Sequence, residues 1–274
     1  MSDAHRSRAN ADLDGEIASR ARLLDLVNLA SNAVVNATNR LTSHLRQLHP
    51  ALAAVVGRSL TAAWCLRVLE TAPTPQAWNE LDDARRAALF SGSSHAKRGD
   101  VMRALGEDWE AFEPAEEMAV RLYLSTLVSM LTSALQAKKR AKKALQDATA
   151  AATEQDQDPV GELDGIGSFL SSAVAIGHHG ATGRDDLAIA LCAAPVTRRS
   201  GVTGDRRPHA SMRRAASPVM KKAGHLIGFQ LVGHYPTAKA QYAYYRGRGI
   251  SANGAYRRVT RSFARVFSAM QRDG

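Results

Sequence analysis

Cysteines and aromatic residues are scarce in this sequence, and each shortage excludes a class of protein. The 274 residues include two cysteines, Cys65 and Cys192, which lack CxxC spacing and are typical of reduced core thiols in a cytosolic protein. Aromatic residues make up 5% of the chain, while alanine is frequent. Because alanine favours helices and aromatic residues favour strands, this composition indicates a helical protein rather than a β-sandwich.

Two further features are missing, and both concern membranes and export. No unbroken run of eighteen apolar residues occurs, so a transmembrane helix is not expected. The N-terminal segment MSDAHRSRANADLDGE is polar and lacks the apolar stretch of a secretory signal. These features predict a cytoplasmic protein without a membrane partner.

Acidic residues are nearly absent from the last third of the chain. Residues 196–274 contain 16 Lys and Arg against 2 Asp and Glu, whereas residues 1–195 contain 20 against 24. Concentrated positive charge attracts polyanions, and phosphate binding releases their counterions. A merely solubilising surface normally interleaves both signs, so the charge distribution favours nucleic-acid binding.

A heptad pattern lies within residues 17–49, a predicted helix that must end before Pro50. Its apolar positions are Val27, Val34, Leu41 and Leu48. The helix either forms a coiled-coil arm through which the chain dimerises or packs within its own domain, and the sequence leaves both open. A second long helix is predicted to begin near Pro114, a favoured first-turn residue.

The expected fold class is mainly α, with a long helical, coiled-coil-like arm followed by a compact basic helical domain. We predict a disordered tail over residues 1–16, a helical region over 17–155 and a C-terminal DNA-binding domain over 156–274. The acidic, polar segment TEQDQD marks the boundary between the last two. A homo-oligomer held together by the arm is expected.

The segment GELDGIG resembles the turn of a helix-hairpin-helix motif. Gly165 and Gly167 would let the backbone turn tightly and present N–H groups to a DNA phosphate at the start of the next helix. Ile166 would fill the gap between the two helices. An ordinary glycine-broken helical turn explains the same residues equally well.

The basic residues that follow are expected to lie on helices. Lys221 and Lys222 project near the start of a helix that begins at Pro218. Tyrosines beside Arg246 and Arg248 either stack on bases or pack at helix ends. These are Tyr242, Tyr244 and Tyr245. The last helix is predicted to be amphipathic, with arginines outside at Arg257, Arg258, Arg261 and Arg265 and apolar residues inside at Val259, Phe263, Val266, Phe267 and Met270.

The last third resembles the C-terminal serine domain of the insertion-sequence one-ten transposases, also called bridge recombinases. The resemblance is carried by a Pro-x-x-Arg-x-Ser-Gly core, an Arg-Arg-Ala helix start and a Tyr-x-x-Arg stretch before a final helix ending in MQRDG. In this sequence these are Pro195, Arg198, Ser200 and Gly201, then Arg213, Arg214 and Ala215, then Tyr245 and Arg248. The GELDGIG turn lies where the family carries its PGIG turn.

The resemblance implies that Ser200 is a nucleophile that attacks a DNA phosphodiester and forms a covalent phosphoserine intermediate. Neighbouring arginines would stabilise the phosphoryl transition state. They are Arg198, Arg199, Arg206 and Arg207. The implied partners are DNA and a guide RNA. Without the resemblance, the positive charge around Ser200 is explained equally well by a basic loop whose serine has no catalytic role.

The chain also departs from the family pattern. The family begins with an RuvC-like domain that binds magnesium through four acids, and this chain has no length for it. No cofactor or metal is therefore expected here, and autonomous transposition is not expected. Asp164 replaces the usual proline of the turn, and Cys192 replaces a glycine. A non-catalytic nucleic-acid-binding remnant and a helical assembly protein are the alternative interpretations.

Overall fold

The computed structural model describes residues 3–57, 59–106, 112–154, 160, 163–194, 196–198, 209–211 and 217–273. Most of these residues are helical, which confirms the predicted mainly α class. The helices are α1 (Asp3–Leu48), α2 (Pro50–Val56), α3 (Ala63–Thr71), α4 (Pro75–Asn79), α5 (Asp83–Leu89), α6 (His95–Gly106), α7 (Pro114–Glu154), α8 (Ser168–His178), α9 (Asp186–Ala190), α10 (Pro218–His234), α11 (Pro236–Gly247) and α12 (Ala252–Asp273).

The chain forms two compact units. The C-terminal unit combines Met1–Asn28 with Ala141–Gly274, and the middle unit comprises Leu29–Arg140. This division differs from the predicted boundary at residues 155 and 156. The reason is that Leu24 of α1 and Leu145 of α7 are buried in the same core as α8, α10 and α12.

The start of α1 also differs from the prediction. The helix begins at Asp3, so the expectation of a disordered tail over residues 1–16 is wrong from residue 3 onward. The three alanines and two arginines of residues 3–16 are strong helix formers, which favours a helix although the segment is polar. The predicted end before Pro50 is confirmed, because α1 stops at Leu48 and Pro50 opens α2.

The middle unit buries the predicted heptad residues Val34 and Leu41 in a core with Trp64 and Trp78. Phe90 lies between the two tryptophans, with ring centroids 6.0 Å and 6.1 Å away. Burial of the heptad positions is compatible with both interpretations of this helix. The coiled-coil arm therefore stays a prediction.

The C-terminal unit is built from α8 to α12 and the adjoining ends of α1 and α7. Val259 and Phe267 of α12 are buried as predicted, but Val266 and Met270 are 60% and 66% exposed. At about 100° per residue, Val266 and Met270 lie close to Val259 around the helix, at the edge of a buried face that is centred on Thr260, Ala264 and Phe267. The buried face of α12 is therefore rotated relative to the one that its apolar residues indicated.

A short hairpin interrupts the helical chain and was not expected. Strand β1 (Val196–Arg198) pairs antiparallel with β2 (His209–Ser211), and Val196 lies opposite Ser211. Strands of three residues are too short to give the alternating pattern by which strands are recognised in a sequence.

Helix α7 contains a long apolar stretch of which only a small part is buried. Its stretch Pro114–Ala152 is long and apolar enough to cross a membrane by length and composition, with a mean hydropathy of 1.4 and 22% burial over an 18-residue window. Core helices of soluble proteins also meet this criterion, so the expected lack of a membrane partner stays a prediction. Serine and threonine interrupt the apolar residues of this stretch, so it contains no unbroken apolar run.

The crossing of α10 and α12 fixes the geometry of the C-terminal unit. A Cβ atom at Gly228 would lie 2.5 Å from the carbonyl oxygen of Tyr256, so only glycine permits this approach. Thr260 is fully buried, and its Oγ1 donates a hydrogen bond of 2.7 Å to the carbonyl oxygen of Gly224. Together these contacts set the position of α12 against α10.

Substituting Gly228→Ala should lower the free energy of unfolding by about 1–3 kcal/mol, because the new methyl group overpacks a backbone contact. The matched control is Gly233→Ala in the same helix, where a Cβ would meet no atom within 4 Å. That control should leave stability unchanged or raise it by up to ~1 kcal/mol, since alanine is the better helix former. Urea unfolding followed by circular dichroism measures both, and equal effects of the two variants would contradict the proposed close packing.

Candidate nucleic-acid interface

A basic groove of about 330 Å³ lies between the N-terminal ends of α10 and α12. Helix α10 begins at Pro218 after an N-cap serine, Ser217, and the turn before α12 is held by Ser251, whose Oγ accepts from the Gly254 amide at 3.2 Å. The residues that line the groove are Pro218, Lys221, Lys222, His225, Asn253 and Arg257. We refer to this set as the basic groove.

Helical spacing explains why these side chains share one surface. Lys221 and His225 are four residues apart on α10, and Asn253 and Arg257 are four residues apart on α12. The close crossing at Gly228 then brings the two rows together. The structure therefore places the predicted contacts Lys221, Lys222 and Arg257 in one groove.

Little negative charge opposes these cations. Residues 218–274 contain ten Lys and Arg and one acid, Asp273. Lys221 and Lys222 are exposed, and Lys222 Nζ lies 3.5 Å from the neutral side-chain oxygen of Asn28. The groove therefore presents positive charge to solvent, which suits an anionic ligand.

Four aromatic rings adjoin the basic groove. The ring of Tyr256 stacks on Tyr242 at 4.6 Å between centroids and contacts Phe229 at 5.7 Å and His225 at 5.4 Å. Burial, together with a hydrogen bond to Tyr242, raises the pKa of Tyr256 above its ordinary value. We call His225, Phe229, Tyr242 and Tyr256 the aromatic cluster.

Three other predicted contacts, Arg246, Arg248 and Arg258, are exposed but held by neighbouring groups. Arg248 donates a hydrogen bond of 2.7 Å to the hydroxyl of Tyr244, and Arg246 donates one of 2.8 Å to a backbone carbonyl. The guanidinium of Arg258 lies 5.2 Å from the ring centroid of Tyr245. These contacts orient the arginines and leave part of each side chain accessible.

Arg261 and Arg265, predicted to lie on the outer face of α12, are 35% and 34% exposed and are held by an acid. Both bind the carboxylate of Asp185, with nitrogen–oxygen distances of 3.1 Å and 2.6 Å. Hydrogen bonds from Arg265 and Arg261 hold the pKa of Asp185 well below its usual range. Asp185 comes from a distant part of the sequence and offsets one of the two positive charges, so the sequence alone did not indicate this contact.

The predicted phosphate-binding turn is packed against the protein. Gly165 has a φ of +79°, and a Cβ there would lie 2.5 Å from the ring of His234. The amide of Asp164 donates to the Tyr235 hydroxyl at 2.8 Å. Ile166 is buried as expected, while Gly167 is the exposed residue before α8. Part of this turn thus takes part in internal packing, and its contact with phosphate stays a prediction.

The predicted catalytic residue Ser200 lies outside the described residues. The same holds for five of the predicted arginine contacts, Arg199, Arg206, Arg207, Arg213 and Arg214. Arg198 is the last residue of β1, where its backbone pairs with His209. The roles assigned to Ser200 and to these arginines therefore depend on the sequence motif alone.

The sequence did not indicate five residues of the site, which are His225, Phe229, Asn253, Tyr256 and Asp185. The four-residue spacing of His225 and Phe229 after Lys221 was visible, but it is equally typical of a buried stripe. Asp185 gave no signal, since its partners are 76 and 80 residues away. Among the described residues, no group of three His, Cys, Asp or Glu side chains is placed to hold a metal.

No family model, curated protein or solved structure matches the chain. The resemblance to bridge recombinases is therefore untested by these comparisons, and the function must be argued from the site itself.

Substituting Asp185→Asn should lower the thermal midpoint at pH 7 by roughly 2–4 °C, the shift expected for a loss of ~1 kcal/mol in a protein of this size. Because the pKa of this carboxyl is lower in the folded state, its ion pairs stabilise the fold above pH ~4, the ordinary value, and that stabilisation fades as the pH falls further. The difference between wild type and variant should therefore shrink between pH 5 and pH 3.

Asp164→Asn is the matched control, because Asp164 is exposed and its loss removes the same charge. It should change the midpoint little at any of these pH values. A difference between wild type and Asp185→Asn that is independent of pH would contradict the ion-pair assignment.

Proposed function

We propose that this chain is a DNA-binding protein that contacts phosphates through the basic groove. The observation that carries this proposal is the groove's lining, in which Lys221, Lys222 and Arg257 converge and none of the six residues is acidic. Lysine provides a compact charge and arginine a planar pair of donors, and both suit phosphate oxygens. His225 and Asn253 add polar groups beside them.

An extended polyanion fits this surface better than a small anion. The groove is open to solvent, and further exposed arginines lie at the C-terminal end of α11 and on α12 of the same unit. They are Arg246, Arg248 and Arg258. A surface with cations spread over several turns of helix contacts several phosphates at once, and each contact releases counterions.

Replacing Lys221, Lys222 and Arg257 together with glutamine should weaken DNA binding at every sequence tested. It should also reduce the slope of log K against log salt by about 2–3, since each lost phosphate contact removes roughly 0.9. Fluorescence anisotropy with a labelled duplex at several salt concentrations measures both quantities.

The matched control replaces Lys142, Arg184 and Lys239 with glutamine, which removes the same three charges from exposed positions elsewhere in the C-terminal unit. The control should keep most of the affinity and slope. Equal losses in the two triple variants would mean that net charge, rather than the groove, governs binding.

We further infer that DNA binding serves serine-mediated strand exchange, with Ser200 as the nucleophile. The sequence motif around Ser200 supports this role, and so does the chain order, because the segment after Ser200 leads through β2 into α10 and the basic groove. No acid or histidine of this chain is assigned to deprotonate the hydroxyl. An RuvC-like domain from another chain would complete the reaction.

The purified chain should bind DNA without forming a covalent adduct. With an RuvC-like domain in trans, a matching guide RNA and DNA, an adduct should form, and Ser200→Ala should abolish it while sparing binding. Mass spectrometry of the protein–DNA adduct identifies the attached serine. Attachment to Ser211 or Ser217, or an adduct that persists in Ser200→Ala, would show that the catalytic role belongs elsewhere.

Self-association through the helical arm also remains a proposal. In the middle unit, α7 exposes Met118 and Leu122 to 72% and 69%, and α1 exposes Leu29 to 66%. Exposed apolar residues at helical spacing support a protein contact at these helices.

A further inference from the structure

The exposed ring of Phe229 is the most unusual feature of the surface next to the basic groove. Phe229 is 52% exposed although α10 buries Ile227 completely. It lies one turn beyond His225 and two turns beyond Lys222 on the same helix. An exposed aromatic ring beside a row of cations offers a nucleic acid a stacking face next to phosphate-binding charges.

The ring of Phe229 is also supported from behind. Tyr256 contacts it at 5.7 Å between centroids with an interplanar angle of 60°, and Tyr256 is itself stacked on Tyr242 at 28°. Because neighbouring rings restrict its motion, the exposed ring would lose little further freedom when a ligand binds. The aromatic cluster therefore holds the Phe229 ring in place as a preorganised apolar face.

The distance from cations to ring matches a short stretch of nucleic acid. Lys222 and Phe229 are seven residues apart, which is about 10 Å along an α-helix. Phosphates of one strand are about 3.4 Å apart along the axis when the bases stay stacked as in a duplex, so roughly three stacked nucleotides, or fewer in an extended strand, span this distance. A strand with its phosphates at the groove could thus place a base near Phe229.

We propose that the basic groove and the aromatic cluster together bind unpaired nucleotides, with phosphates at Lys221, Lys222 and Arg257 and a base stacked on Phe229. This inference rests on the proposed nucleic-acid binding and names its substrate as single-stranded. Inside a duplex both faces of each base are covered by neighbouring bases, so only an unpaired or terminal base offers a face to the ring. Duplex DNA would use the cations alone.

The test compares a labelled 12-nucleotide single strand, as DNA and as RNA, with the 12-base-pair DNA duplex by fluorescence anisotropy with the full chain. Phe229→Leu keeps an apolar side chain but removes the π face. It should weaken single-strand binding by about 5-fold or more, the loss typical of one stacked base, and duplex binding by less than 2-fold. Phe229→Trp should restore or strengthen single-strand binding.

The control variant is Val266→Ala, which alters a residue of α12 that is 60% exposed and lies outside the aromatic cluster. It should leave all affinities unchanged, and circular dichroism melting should show that every variant remains folded. Whether the DNA or the RNA strand binds more tightly identifies the natural source of the unpaired nucleotides.

The outcomes separate the two proposals. Equal effects of Phe229→Leu on single strand and duplex, or no effect on either, would overturn the stacking site while leaving phosphate binding intact. A change in oligomeric state by light scattering, with unchanged affinity for the single strand, would show that Phe229 contacts another copy of the chain. Wild-type protein that binds none of the three oligonucleotides would overturn both proposals.

Discussion

The close packing of α10 against α12 is the constraint on which the candidate site depends. Glycine at position 228 allows the two backbones to approach, and buried Thr260 ties them together through the carbonyl of Gly224. Because the helices cross there, the lysines of α10 and Arg257 of α12 line one groove. The same crossing sets Tyr256 against Phe229. The positions of the groove's cations and of the aromatic rings thus both depend on this one contact between helices.

The basic residues of the C-terminal unit form two sets, one bound to an acid within the fold and one exposed in the groove. Arg261 and Arg265 stabilise the fold by binding Asp185, which also lowers the pKa of that carboxyl. Lys221, Lys222 and Arg257 line the groove and stay available for a ligand. Sequence composition cannot distinguish these sets, since both belong to the same basic stretch. Only contacts between distant positions assign each arginine to one of them.

The helical class and the positions of α7 and α10 were predictable, because proline at a first turn and apolar periodicity are local signals. The Asp185 ion pairs, the packed turn at Gly165 and the pairing of α1 with the C-terminal core were not, because each depends on residues far apart in the chain. The lysines of the groove were recognised by charge, whereas Phe229 was missed because an apolar residue in a helix is normally buried. The role of Ser200 stays a prediction from its motif.

The most direct test of the account is to map where a bound strand touches the protein. A single strand that carries 5-iodouracil, which cross-links to nearby aromatic residues under light, is bound to the full chain, and cross-linked peptides are identified by mass spectrometry. The account predicts cross-links in α10 and α12, centred on Phe229 and Tyr256. Cross-links confined to the middle unit, Leu29–Arg140, would contradict it.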